Sequence, residues 1–281
     1  MNVWIQGARP KTLPAAIAPI LVGTALAGSS ISPARAFLAL IVSLSLQIGV
    51  NYANDYSDGI RGTDAVRVGP VRITASGLAP ATSVKRAAYF SFLVAAIAGL
   101  ALAATSRWWL IAVGASAIVA AWRYTGGKKP YGYIGLGELF VFIYFGLVAT
   151  VGTYYVQSGT IDSRSILAAI PVGLLACLIL AVNNIRDRSQ DALVGKRTSA
   201  VRLGDRAARR WAVAAMVFAH LLPLAISLPA FIATALISPL SYSIARGLLG
   251  GASGNDLITY IARTGKLHLL YSSALSLGLL L

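Results

Sequence analysis

The chain has 281 residues, 57% hydrophobic and only 12% charged, against about 25% charged in an ordinary soluble domain. Its mean hydropathy is +0.73. This excludes a soluble globular domain and predicts an all-α, polytopic membrane bundle, read as a single integral-membrane domain over residues 1–281. The net charge of +15 does not argue for nucleic acid, because the basic residues are scattered over the segments between apolar runs and form no single module.

A spanning helix needs roughly 20 mostly apolar residues, and nine stretches qualify as candidates. In chain order they are Leu13 to Ala27, Ala36 to Ala53, Ala87 to Ala104, Trp108 to Tyr124, Gly135 to Val156, Ile166 to Val182, Trp211 to Leu228, Ala230 to Ile244, and Leu257 to Leu281. The first carries Pro14 and Pro19, which a span tolerates when neighbouring helices satisfy the freed carbonyls. The start of the chain lacks the basic region and short apolar core of a cleavable signal peptide.

With the N-terminus inside and one crossing per span, 21 of the 24 Lys and Arg residues fall on the inner side; Arg35, Arg107 and Arg164 are the exceptions. By the positive-inside rule this predicts a multi-pass protein of the cell membrane with its polar clusters facing the cytoplasm. The same charge attracts anionic lipid headgroups of the bilayer.

Before the first span, Arg9 and Lys11 are either topogenic charges or contacts to a bound anion. The second span ends in Asn51-Tyr52-Ala53-Asn54-Asp55-Tyr56-Ser57-Asp58, followed by a loop of roughly 25 residues carrying Arg61, Asp64, Arg67 and Arg72 with several Gly and Pro, long enough to be functional. Between spans four and five, Gly126-Gly127-Lys128-Lys129-Pro130 offers two lysines beside flexible glycines, suited to a phosphate or to enforcing topology. Trp4, Trp108, Tyr131 and Tyr133 are read as interfacial anchors. Glu138 opens the fifth span, where an ionisable residue is costly and therefore a functional candidate. Cys177 is the one cysteine, so no intrachain disulfide can form, and it reads as a small core residue. His220 and His268 read as packing or interhelical hydrogen-bonding groups.

Span six ends in Asn183-Asn184-Ile185-Arg186-Asp187-Arg188-Ser189-Gln190-Asp191, an echo of the first acidic stretch, followed by a basic loop with Lys196 and Arg197. On a helix, Asn51, Asp55 and Asp58 share one face, as do Asn183, Asp187 and Asp191. Like charges one turn apart repel, so each set needs a cation to offset it. The recurrence suggests a four-helix unit used twice.

Six of the nine acids lie in these two regions. Two acidic clusters beside a ring of Arg and Lys suggest a diphosphate held through a divalent metal: carboxylates are hard oxygen ligands, and Mg²⁺ takes one or two of them with phosphate oxygens and water. The blander reading is a set of solvated helix ends. A secondary transporter would place its site near the midplane at broken helices, and a quinone- or lipid-binding subunit would need no paired acids.

Asn54-Asp55-x-x-Asp58 and Asp187-x-x-x-Asp191 resemble the two aspartate-rich motifs of the UbiA superfamily of intramembrane prenyltransferases. The segments Ala8-Arg9-Pro10-Lys11-Thr12-Leu13-Pro14, Tyr124-Thr125-Gly126-Gly127, Lys129-Pro130-Tyr131-Gly132 and Gly195-Lys196-Arg197-Thr198 resemble its naphthoate branch. One departure is that Asp58 follows Asp55 by three residues, where many members place the later aspartate four on. The resemblance implies nine helices around a central cavity and transfer of a polyprenyl chain from polyprenyl diphosphate, with Mg²⁺ as cofactor. It implies 1,4-dihydroxy-2-naphthoate as acceptor and demethylmenaquinone, pyrophosphate and carbon dioxide as products. Carried over to this chain, Asp55, Asp58, Asp187 and Asp191 are the expected catalytic metal ligands. Asn51, Asn54, Asn183, Arg61, Lys129, Lys196 and Arg197 are the expected substrate contacts, with Arg9 and Lys11 behind them.

Overall fold

The computed structural model describes residues 2–63 and 71–281, and among these every regular element is helical. Asp64 and Arg67 lie outside the described residues.

A short amphipathic helix α1 (Val3–Ala8) precedes α2 (Pro14–Leu26), α3 (Pro33–Ile60), α4 (Ala81–Thr105) and α5 (Leu110–Arg123). Helices α6 (Gly137–Val141) and α7 (Ala149–Ser158) are one rod interrupted by a π-helical segment at Phe142–Val148. Then come α8 (Ser163–Leu193), α9 (Ser199–Leu203), α10 (Asp205–Leu221), α11 (Leu228–Ala235), α12 (Ser238–Leu249) and α13 (Asn255–Leu280).

All nine stretches expected to span are helical, but they do not qualify equally as crossings. Among the described residues four helices are long and apolar enough to cross alone, at Pro33–Arg61, Ala81–Thr105, Gly137–Ser158 and Ser163–Leu193; α11 and α12, bent by 52°, make a fifth if counted as one span. Helices α2 and α5 are shorter, at 13 and 14 residues. The chain is a polytopic helical membrane protein in which long and short helices pack together.

Local signals set the boundaries. Ser32 caps α3 and is followed by Pro33 at the first helical position, where its missing N–H costs nothing. Asp162 and Ser165 form a reciprocal capping box at the start of α8, satisfying donors that the first helical turn leaves open. From there α8 runs 31 residues, about 46 Å at 1.5 Å per residue.

The main core surrounds α8, α10 and α13, with Leu175, Leu178, Met216, Leu267, Tyr271 and Leu275 sealed from solvent. Two close approaches are set by glycine. A Cβ at Gly146, in the π segment, would lie 2.6 Å from the Cα of Gly173 on α8, and one at Gly23 on α2 would lie 2.4 Å from the carbonyl of Thr150 on α7. Small residues that let backbones meet are the usual device for packing helices in lipid. The other half of the molecule, around α3, α4, α5 and the α6–α7 rod, is less filled, and there the bundle encloses a cavity.

Candidate active site

The cavity measures about 340 Å³, and its charged lining residues, Arg9, Asp58, Arg72, Asp187, Asp191 and Lys196, gather at one end. Its apolar arm is walled by Ile20, Val42, Leu102, Leu110, Val148 and Val156 among others, and its polar end by the C-terminal turns of α3 and α8.

The α3 stretch is buried and tied to four other segments. Asn51 donates to the Ala8 carbonyl at 2.9 Å and the Thr12 hydroxyl at 3.1 Å, while its own oxygen accepts from Gln47. Asn54 accepts from Thr125 at 2.8 Å. The Asp58 carboxylate is held at both oxygens: the Tyr133 hydroxyl donates at 2.6 Å and Lys196 Nζ at 2.9 Å. The Tyr133 ring in turn lies under two cations, Lys196 at 4.6 Å and Arg61 at 5.4 Å from its centroid. Burial first, and then the neighbouring Asp58 carboxylate, pushes the Tyr133 phenol above its ordinary pKa.

Asp55 is placed differently from its neighbours. It is fully buried and does not line the cavity; its two oxygens accept the backbone N–H groups of Ile73 and Thr74 at 3.3 and 3.1 Å, and Arg9 lies 3.9 Å away. It therefore anchors the loop after α3, and that loop brings Arg72 to the cavity wall.

The α8 stretch carries a charge pair within its own helix. Arg186 donates twice to Asp187, at 2.7 Å from both Nε and Nη2, and once to Asn183 at 2.8 Å. Asn184 donates to Glu138 at 2.9 Å, and the Ser199 hydroxyl donates to the same Glu138 oxygen. Glu138 thus joins α6, α8 and α9. Asp191 lines the cavity, and its backbone carbonyl accepts from the Lys196 N–H at 2.8 Å, which fixes the turn that presents Lys196.

Of the expected site residues, the structure brings Asn51, Asn54, Asp58, Asn183, Asp187, Asp191, Lys196 and Arg9 to one cavity. Lys11, Lys129 and Arg197 are exposed and off its wall. Arg61 also lies off the wall, where it donates to the Thr125 and Gly127 carbonyls and braces the loop before α6. Sequence reasoning missed Thr12, Gln47, Arg72, Tyr124, Thr125, Tyr133 and Asn184, all on the cavity wall. In the sequence Tyr133 reads as an interfacial anchor, and Arg72 is one of several charges in a loop long enough to be functional; the glycines near each are the available signal.

Among the described residues no three His, Cys, Asp or Glu side chains are gathered into a cage for a metal ion. The donor set nonetheless fits Mg²⁺ shared with a diphosphate, which needs only one or two carboxylates when phosphate and water complete the shell. Asp58, Asp187 and Asp191 supply such oxygens from two helices around one cavity.

A membrane-embedded helical bundle with carboxylates and cations at the head of a long apolar cavity is built to act on a lipid with a charged headgroup. The chain belongs to the UbiA prenyltransferase family, whose model matches residues 16–257. It is 46% identical over 277 residues to the 1,4-dihydroxy-2-naphthoate octaprenyltransferase of Mycobacterium tuberculosis, covering 97% of this chain and 95% of that one. The Escherichia coli protein of the same name is 42% identical over 219 residues, 75% of this chain and 71% of that one. Two solved structures share the fold at 15% identity. A UbiA homolog from Archaeoglobus fulgidus bound to GPP and Mg²⁺ has a TM-score of 0.67, covering 98% of this chain and 100% of that one. The apo UbiA homolog from Aeropyrum pernix K1 has a TM-score of 0.70, covering 95% and 97%.

Proposed function

We propose that this chain transfers a polyprenyl group from polyprenyl diphosphate to 1,4-dihydroxy-2-naphthoate in menaquinone biosynthesis. The C–O bond between the allylic carbon and the diphosphate breaks. A C–C bond forms at the ring carbon that carries the carboxylate, and that carboxylate leaves as carbon dioxide. Pyrophosphate is the other product, and the quinone product, demethylmenaquinone, leaves in its reduced form. The observation that carries this reading is the polar head of the cavity, where Asp58, Lys196 and Tyr133 line one side and Asp187, to which Arg186 donates, lines another. Near-full-length similarity to naphthoate octaprenyltransferases supports the choice of acceptor.

In this reading Asp58, Asp187 and Asp191, with Asn51, hold Mg²⁺ and the diphosphate. Bound there, Mg²⁺ would supply Lewis acidity to the departing diphosphate. Lys196 stands beside Asp58 and neutralises the leaving group, an electrostatic contribution that commonly dominates such chemistry. Asp55 would reach the same ion only by releasing the loop it grips; in this conformation it holds Arg72 in the wall. Arg9 and Arg72 are the cavity-lining arginines suited to the acceptor carboxylate. The apolar walls keep water from the allylic cation until the electron-rich ring attacks. Arg61, Lys129, Arg197 and Lys11 form an outer basic collar.

The test is pyrophosphate release by purified protein given polyprenyl diphosphate, Mg²⁺ and either 1,4-dihydroxy-2-naphthoate or 4-hydroxybenzoate. Preference for the naphthoate is expected; better turnover of 4-hydroxybenzoate would move the chain to another branch. No release with either would favour a transporter or a binding subunit. We also place the polar head on the cytoplasmic side of the plasma membrane, from the charge asymmetry of the loops. Single cysteines at the exposed positions Ser76 and Thr160 should then label from opposite sides, and labelling from one side only overturns the topology.

A further inference from the structure

We infer that Gly99, Gly114 and Gly152 set how long a donor tail the cavity admits; this rests on the donor proposed above. The glycines of the bundle divide into two kinds. At Gly7, Gly23, Gly49, Gly146, Gly173 and Gly278 a Cβ would come within 3.0 Å of a neighbour, so those glycines serve helix packing. Gly99, Gly114 and Gly152 are the opposite. A Cβ at Gly114 or Gly152 meets no atom within 4 Å, and one at Gly99 meets only Val42 Cγ2 at 4.0 Å. All three line the cavity. They come from three helices, α4, α5 and α7, so they are parts of a wall and no stripe on one helix.

They also lie at one depth. Ala39 and Asp58 both line the cavity and stand 19 residues apart on α3, about 28 Å at 1.5 Å per residue. The cavity therefore runs most of the way across the roughly 30 Å hydrocarbon core. Its far end lies where α3 starts, α4 and α7 end and α5 begins. Arg35 ties these ends together by donating to the Thr105 carbonyl at 2.6 Å and the Val156 carbonyl at 2.8 Å, and Ser106 also donates to Val156. Gly99 lies six residues before the end of α4, Gly114 four after the start of α5, and Gly152 six before the end of α7. Each is thus one to two turns from that face, opposite the acidic end. A glycine within a helix destabilises it relative to alanine, and here no close neighbour requires one. What the missing side chains provide is width in the distal arm.

The experiment compares geranyl diphosphate, a short donor, with octaprenyl diphosphate, a long one, in full-length protein carrying Gly99→Leu, Gly114→Leu or Gly152→Leu. Turnover with the naphthoate acceptor and donor-induced thermal stabilisation without acceptor are both measured. The short donor should be used nearly as by wild type, while the long-to-short ratio of kcat/KM falls about tenfold or more, the scale on which a filled apolar pocket discriminates by size. The matching Ala variants should shift the ratio in the same direction by less, and they decide the matter at any position where the Leu variant fails to fold. A ratio within about twofold of wild type at all three positions overturns the inference, because the tail would then leave the bundle elsewhere. Equal loss of both donors in folded protein also overturns it. If wild type does not prenylate the naphthoate, the proposed reaction fails but the stabilisation comparison still judges the glycines.

Discussion

The two acidic stretches look like copies in the sequence, yet the structure holds them in different ways. On α3, each Asn and Asp is fastened to a distant part of the chain: Asn51 to the Ala8–Thr12 segment, Asn54 to Thr125, Asp55 to the loop at Ile73 and Thr74, and Asp58 to Tyr133 and Lys196. On α8, Arg186 pairs with Asp187 and Asn183, one and three residues away on the same helix, and Asn184 reaches outward to Glu138. Local and long-range partners neutralise charge equally well, but only long-range ones fix the position of other segments. The α3 stretch thus ties several segments of the fold together while it lines the candidate site, whereas the α8 stretch carries a charge pair within its own helix.

The largest expected effect comes from removing a cavity carboxylate on either helix. Asp58→Asn and Asp187→Asn should each lower turnover about 10²- to 10³-fold, the usual cost of losing one preorganised electrostatic contact. They should differ in stability. Asp58→Asn removes the charge and one of the two acceptor oxygens that join α3 to the Tyr133 and Lys196 segments, so its melting temperature should fall more than that of Asp187→Asn. Equal melting temperatures would erase the proposed distinction between the two helices.

A smaller effect separates the two partner cations. Lys196→Gln should raise the donor KM by about ten- to a hundredfold, in line with the roughly 1.5 to 3 kcal/mol of a charge-assisted hydrogen bond. It should also lower the melting temperature, because Asp58 is left buried without its cation. Arg186→Gln removes a pairing within one helix and should shift the melting temperature less. The comparison is made by donor titration and thermal unfolding of both variants, and a greater destabilisation by Arg186→Gln would reverse the ranking.

How much of this was legible beforehand follows from the kind of contact involved. The helical bundle and the acidic stretches at one membrane face could be read from apolar runs, charge asymmetry and helical spacing, and the resemblance to a known family singled out Lys196. Tyr133 could not, because an aromatic residue near a span end is ordinarily an interfacial anchor, and its hydroxyl meets Asp58 across 75 residues of sequence. Arg72 could not be told from the other charges of its long loop, since its place depends on Asp55 gripping the two residues that follow it. Lys129 and Arg197 show the converse: a basic residue in a motif-like loop points outward when backbone bonds alone set the turn, as the Arg197 N–H does by donating to the Tyr133 carbonyl at 2.8 Å. Helix lengths were also overread, because α2 and α5 are apolar but short.

Asp55→Asn tests the scaffold half of the comparison directly. An amide in place of the carboxylate keeps one acceptor oxygen where two N–H groups now converge, so one buried donor loses its partner, at about 1 to 3 kcal/mol. The loop at residues 71–79 should then exchange its backbone hydrogens faster, and the melting temperature should fall. Turnover should fall as well, through displacement of Arg72. Unchanged exchange in the loop would show that the Asp55 contacts do not hold it.

The smallest expected effect is that of Tyr133→Phe, which keeps the ring beside Lys196 and Arg61 and removes only the hydroxyl. Asp58 retains Lys196, so turnover should drop a few-fold, matching the roughly 0.5 to 1.5 kcal/mol net worth of one hydrogen bond. The pH dependence carries a second signature. In the folded protein the phenol's pKa is raised, by burial and then by Asp58, above the value of about 10 it has in the unfolded chain. A group shifted in that direction contributes stability that is fully present below the unfolded pKa and is lost as pH rises through the folded one, because the unfolded chain gives up the proton first. Wild type should therefore lose melting temperature from about pH 10 upward, with Tyr133 responsible for part of the slope, and Tyr133→Phe should lose it less steeply. Below that pH the neutral phenol donates to Asp58 without titrating, so the difference in turnover between the two proteins should stay flat across neutral pH. Coincident alkaline slopes together with wild-type turnover would mean that the hydroxyl neither supports Asp58 nor shares in holding the α3 stretch.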